Sequence, residues 1–162
     1  MAIIAAMALA ISPWFLKIMQ RNTMKSAAQE MSITFAAARM RAVKRNLPAE
    51  VRITIASPTQ GFHLLETFEM VVPTAIKVGE SRLTEKVFFP TSGLPGPYGN
   101  PGTLTARFLP DGRTSAPLWF TIRGPLGAGT QNNLTVSILQ NGKINVLGPN
   151  ITVLKPLGTE WQ

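Results

Sequence analysis

Few side chains in this 162-residue sequence could do chemistry, and most of those are cationic. There is no Cys, one His (His63) and one Asp (Asp111). Disulfides, thiolate metal sites and cysteine nucleophiles are thereby excluded. Almost nothing is left for a Ser-His-Asp triad or a His-rich metal centre. Glu66 and Glu69 stand close together in strand-like sequence, with no sign of a cleft for acid–base work. Gly124 to Gly129 is Gly-rich, but no Gly-Lys-Ser/Thr follows, so it reads as a turn and not a phosphate loop. No cofactor, metal or small-molecule substrate is implied. What remains is positive charge: sixteen Lys plus Arg against eight Asp plus Glu, a net +8. Eight bases and two acids between Lys17 and Arg52 concentrate +6 of it there. Such a surface suits phosphate-rich partners or serves as a solvated, membrane-proximal helix face.

The elements that must carry this charge follow from periodicity. Met1 to Leu16 is uncharged, and with Pro13 inside it should form a kinked apolar helix. It is shorter than the ~20 residues that span a bilayer and lacks the basic start of a secretory signal. It reads as the later part of a membrane helix that begins upstream. From Lys17 to Asn46, Met24, Ala27, Ala28, Met31, Phe35, Ala38 and Ala42 recur at spacings of three and four, one apolar stripe of an amphipathic helix. Arg41, Lys44 and Arg45 share another face, Asn46 suits a left-handed cap, and Pro48 forbids continuation.

Beyond Pro48 the period becomes two. Val51, Ile53 and Ile55 alternate with polar residues, and residues 57–61 form a turn. Strand material follows at Phe62 to Glu66, at Phe68 to Val72 up to Pro73, and at Leu83 to Phe89; Pro90 to Gly102 is a loop. Leu104, Ala106 and Phe108 lead into the turn Pro110-Asp111-Gly112-Arg113, with Leu118 to Arg123 expected as the partner strand. Leu134 to Ile138 and Ile144 to Leu147 flank Asn141-Gly142, a strong hairpin signal, and Ile151 to Leu154 is a candidate last edge strand. Thirteen Gly and thirteen Pro agree with so many turns. The expected class is α+β, with a membrane helix (1–16), an amphipathic helix (17–47) and a β-rich, mainly antiparallel head (48–162) of roughly six to eight strands.

In order and spacing the sequence resembles type IV pilin-like proteins, within them the minor pseudopilin H (GspH)/FimT-like family. Ala36 to Pro48, Ala-Ala-Ala-Arg-Met-Arg-Ala-Val-Lys-Arg-Asn-Leu-Pro, is similar to that family's helix end. Phe108-Leu109-Pro110-Asp111-Gly112-Arg113 is similar to its turn, and Leu134 to Val146 to its closing hairpin. The family's basic leader, peptidase-site glycine and Phe-Thr-Leu-Ile-Glu-like start do not occur here, and no acid precedes Glu30 to take its assembly role.

The resemblance implies a non-enzymatic subunit that initiates or caps a type II secretion pseudopilus or a type IV pilus. It would sit in the bacterial inner membrane with its head in the periplasm, its partners being other pilins. The small residues Ala5 and Ala6, with Leu9 and Pro13, would pack the helix among its neighbours. The alternative is a minor pilin that binds DNA for uptake. The known DNA-binding relatives use a paired-arginine motif in the C-terminal tail, whereas Gly148 to Gln162 holds only Lys155. Candidate DNA contacts are therefore Arg113, Arg123 and Lys143 with Lys155, and Trp161 as a stacking group.

Overall fold

The stripe from Met24 to Ala42 is what the head folds onto. The computed structural model describes residues 2–54, 62–84, 103–123 and 133–148. The one helix among these residues, α1 (Ala2–Arg45), continues through Pro13 and is about 66 Å long at 1.5 Å per residue. All seven stripe residues are buried. The end is a Schellman cap: Leu47 N–H donates to the Ala42 carbonyl at 3.2 Å and Asn46 N–H to that of Val43 at 3.3 Å. Asn46 takes the left-handed conformation this requires, with φ 53°. No helix among the described residues is long and apolar enough to cross a membrane. The side chains of Ala5, Ala6, Leu9 and Pro13 lie outside the described residues, so their packing role stays an expectation.

Two antiparallel sheets cover the stripe. The first joins β1 (Ala49–Thr54), β2 (Phe62–Val71), β3 (Thr74–Thr84) and β4 (Thr103–Phe108) in the order β3-β2-β1-β4. The second joins β5 (Leu118–Arg123), β6 (Asn133–Ile138) and β7 (Ile144–Leu147) in the order β5-β6-β7. Alternation places Val51, Ile53, Leu65, Leu104 and Ala106 against the helix from the first sheet, and Phe120, Ile122, Val136 and Ile138 from the second. Phe35 ties the three layers together. Its ring stacks on Phe120 at 5.1 Å between centroids and meets Phe108 at 6.4 Å.

Two expectations are corrected. Phe62 to Glu66 and Phe68 to Val72 are one strand with a register shift at Thr67/Phe68; it stops before Pro73 as expected, but the sheet continues beyond. A cis Val72–Pro73 peptide turns the chain into β3, an eleven-residue strand. β3 escapes the pattern because it is an edge strand whose first half is exposed on both faces, so no apolar alternation marks it. The second correction concerns Leu118 to Arg123, which does not pair with β4. β4 lies against β1 and β5 against β6, and an isolated bridge between Phe108 and Thr114 ties the end of β4 to the segment that leads toward β5. Pro117 brings no N–H to a ladder at that point. The loops at 57–61, 90–102 and 124–129, the continuation of Leu83 to Phe89 past Thr84, and the strand at Ile151 to Leu154 lie outside the described residues.

Candidate functional site

The two basic turns of the head are built alike and touch. In the first, Gly112 N–H donates to the Leu109 carbonyl at 2.9 Å and Leu109 N–H to that of Arg113 at 2.7 Å. Arg113 N–H donates to Asp111 Oδ1 at 3.0 Å. In the second, Gly142 N–H donates to Leu139 at 2.8 Å, Leu139 N–H to Lys143 at 2.9 Å, and Lys143 N–H to Asn141 Oδ1 at 3.0 Å. Each is a type I turn closed by a glycine with φ near that of the left-handed region, 79° at Gly112 and 76° at Gly142. Both turns carry the pattern Leu-x-Asp/Asn-Gly-Arg/Lys, at 109–113 and 139–143.

Thr114 stitches the turns together, its N–H donating to the Gln140 carbonyl at 3.0 Å and its Oγ1 to that of Leu139 at 3.2 Å. From α1, Arg39 Nε donates to the Gly112 carbonyl at 3.0 Å and Nη2 to that of Asn141 at 3.4 Å. Arg39 is thus a clasp between the helix and both turns. Sequence reasoning placed it only among the helix bases, because its acceptors are main-chain carbonyls.

The structure therefore brings the turns that carry Arg113 and Lys143 together. It does not bring Arg123 to them: Arg123 pairs with Asn133 at the opposite end of the β5–β6 ladder from Leu118 and Ile138. Lys155 and Trp161 lie outside the described residues. Arg113 is also partly spoken for, since its Nε donates to Asp111 Oδ2 at 2.6 Å. The Arg113 N–H, with its side chain and charge, holds the Asp111 carboxyl below its ordinary range. A carboxyl lowered in the fold contributes stability above its unfolded pKa and loses it as the pH falls through the folded value. Asp111→Asn should keep the turn, as Asn141 does in the twin. Its small deficit in thermal stability at neutral pH should begin to shrink as the pH falls below ~4 and be gone only below the lowered folded value; a deficit that does not shrink in acid would contradict this.

Four more acids of the described residues lie in ion pairs. Glu50 meets Arg52 at 2.6 Å, Glu69 meets Arg41 at 3.6 Å, and Lys77 lies 2.6 Å from both Glu66 and Glu80. Arg52 also lies over the Phe68 ring, 4.4 Å from its centroid. Glu66 and Glu69 are thus ion-pair members. His63 is buried within β2, and no three metal-binding side chains converge among the described residues.

The other notable surface is apolar. On α1, Phe15, Met19, Ile33, Met40 and Val43 are exposed by half or more, at positions that keep the three-and-four spacing with Asn22, Ser26, Gln29 and Ala36 between them. Ile33 sits two positions beyond the buried Met31, roughly 200° around the helix, so it faces away from the head, while Met40, two beyond Ala38, lies at the margin of the head. Near its C-terminal end this seam opens into a groove of about 690 Å³ between α1 and β7, with Arg39, Lys44 and Lys143 at its edges.

This arrangement of one long helix packed on two antiparallel sheets has counterparts among solved structures. The type IV minor pilin FimU of Pseudomonas aeruginosa superposes with a TM-score of 0.60 at 15% identity, over 83% of this chain and 95% of its own. The chain has the minor-pilin fold. The minor pseudopilin EpsH from the type II secretion system of Vibrio cholerae superposes with a TM-score of 0.58 at 15% identity, over 80% of this chain and 99% of its own. No protein-family model matches the sequence, and no curated protein matches it. At this identity the pilin-like likeness is one of fold, and the helix-on-sheet α+β class expected from the residues is observed.

Proposed function

We propose that this chain is a non-enzymatic subunit of a pilus-like filament, a minor pilin or pseudopilin that helps initiate or cap a type II secretion pseudopilus or a type IV pilus. The observation that carries the reading is the second apolar seam of α1. The head already buries one face of the helix, yet Ile33 (64% exposed) and Met40 (67%) still present large apolar side chains on another. A helix with two apolar faces is built to be covered twice, once by its own head and once by neighbours. The minor-pilin fold supplies the context, and the uncharged Met1 to Leu16 extends the same helix toward a bilayer. In this reading the head lies in the periplasm and the helix is held in the inner membrane until assembly.

Replacing both Ile33 and Met40 with Asp should leave the thermal unfolding of the head nearly unchanged, because both side chains are exposed. It should cut recovery in the sheared filament fraction by about tenfold or more, since each carboxylate would have to be desolvated at a helix contact. Ile76→Asp, on the exposed half of β3, is the matched control and should assemble normally. Normal assembly of the double variant would refute the reading. DNA uptake, the alternative, has less support: Asp111 engages Arg113, and Arg123 stands apart from the paired turns.

A further inference from the structure

The groove between α1 and β7 joins an apolar floor to a cationic rim. Met40 and Val43 supply the floor from the helix and Ile144 from β7, the outer strand of its sheet, while Lys44 and Lys143 stand at the rim. Its volume, about 690 Å³, admits several side chains but not a whole helix. Arg39 is already engaged with the turn carbonyls, whereas Lys44 and Lys143 meet no acidic side chain among the described residues.

We propose that this groove receives an acidic subunit different from this one, whose projecting segment lays apolar side chains on Met40, Val43 and Ile144 and sets carboxylates against Lys44 and Lys143. The proposal rests on the filament-subunit reading and adds the chemistry of the neighbour. Charge decides against a second copy of this chain. At net +8, with +6 between Lys17 and Arg52, two copies would place cations against cations. Nor, among the described residues, does a second copy offer free carboxylates: Glu50, Glu66, Glu69, Glu80 and Asp111 are each held by a cation of their own chain, and Glu30 accepts from the Ser81 hydroxyl. A nucleic acid would meet phosphate-binding cations, but the floor is aliphatic and gives bases no aromatic ring on which to stack.

The test is photo-crosslinking in the cells that make the protein, with a photoreactive phenylalanine analogue in the full chain at Met40 or, separately, at Ile33. The Met40 probe is expected to link to an acidic filament subunit of different sequence, identified by mass spectrometry, at a site flanked by Asp or Glu. Combining it with Lys44→Glu and Lys143→Glu should lower that adduct about tenfold or more, and the corresponding Gln changes should lower it less. The Ile33 adducts should be unaffected, and unchanged thermal unfolding of the variants establishes that the head is intact. A Met40 adduct to a second copy, to nuclease-sensitive material, or indifferent to the charge reversals would overturn the proposal. So would no Met40 adduct while Ile33 still links to filament subunits; in each case the filament reading survives. No subunit adduct from either position would overturn both.

Discussion

Phe35→Ala is expected to cost the head about 3–5 kcal/mol, the usual range for removing a large aromatic from a close-packed core. The value should fall at the upper end of that range because of where the ring sits. Phe35 is fully buried and touches Phe108 of the first sheet and Phe120 of the second. Closing the cavity would require the helix and both sheets to shift toward one another, and the Phe108–Thr114 bridge and the Arg39 bonds oppose that. A loss of this size is a large share of a typical domain's 5–15 kcal/mol, and the melting temperature should fall by roughly 6–20 °C. Phe35→Leu, which refills most of the space, should cost about 1.5 kcal/mol. Thermal and urea unfolding of the two variants check this. Equal effects of Ala and Leu would mean that the ring does not fill the junction.

Gly142→Ala is expected to be nearly as damaging, for a different reason. A Cβ there would drive into the Gly112 carbonyl oxygen and come within 2.7 Å of Arg39 Nε, at a φ of 76° that already disfavours a side chain. The obstacle is backbone, so the two turns must part and the clasp must loosen. Gly112→Ala is the internal comparison. It bears the same conformational penalty, about 1–2 kcal/mol, but its Cβ would meet only Val43 Cγ2 at 3.1 Å and Arg39 Nε at 3.3 Å, side-chain atoms that can give way. Gly142→Ala should therefore cost about 3 kcal/mol or more, clearly beyond Gly112→Ala. Equal costs in urea unfolding would show that the turns do not press together as described.

Local regularities carried the legible part of the fold. The stripe from Met24 to Ala42 could be read because burial against a sheet demands helical periodicity, and Asn46 with Pro48 marked the end because a left-handed cap favours one residue and a stop favours the other. Asp111-Gly112 and Asn141-Gly142 announced two turns. That these turns meet is a long-range fact, and neither sequence contains the other's address. Arg39 was hidden by its acceptors, since a main-chain carbonyl has no identity in the sequence. Ile33 and Met40 were hidden by the basic and small residues around them, which blur the second seam. β3 had no buried face along its first half, hence no alternation to detect. The Arg113–Asp111 pair was not anticipated, since Arg113 was read as a cation open to DNA, although an acid two residues before a base within a turn is placed for the engagement seen.

The hydrogen bonds by which Arg39 holds the two turns go to their peptide oxygens. Substitutions at Pro110, Asp111 and Arg113, or at Gln140, Asn141 and Lys143, therefore leave the acceptors in place as long as the two glycines keep their conformations. The outer rim of the head is free to drift, to change charge and to follow whatever neighbour it must fit. Adaptation of that rim is separated, in the covalent make-up of the chain, from the inheritance of the fold beneath it.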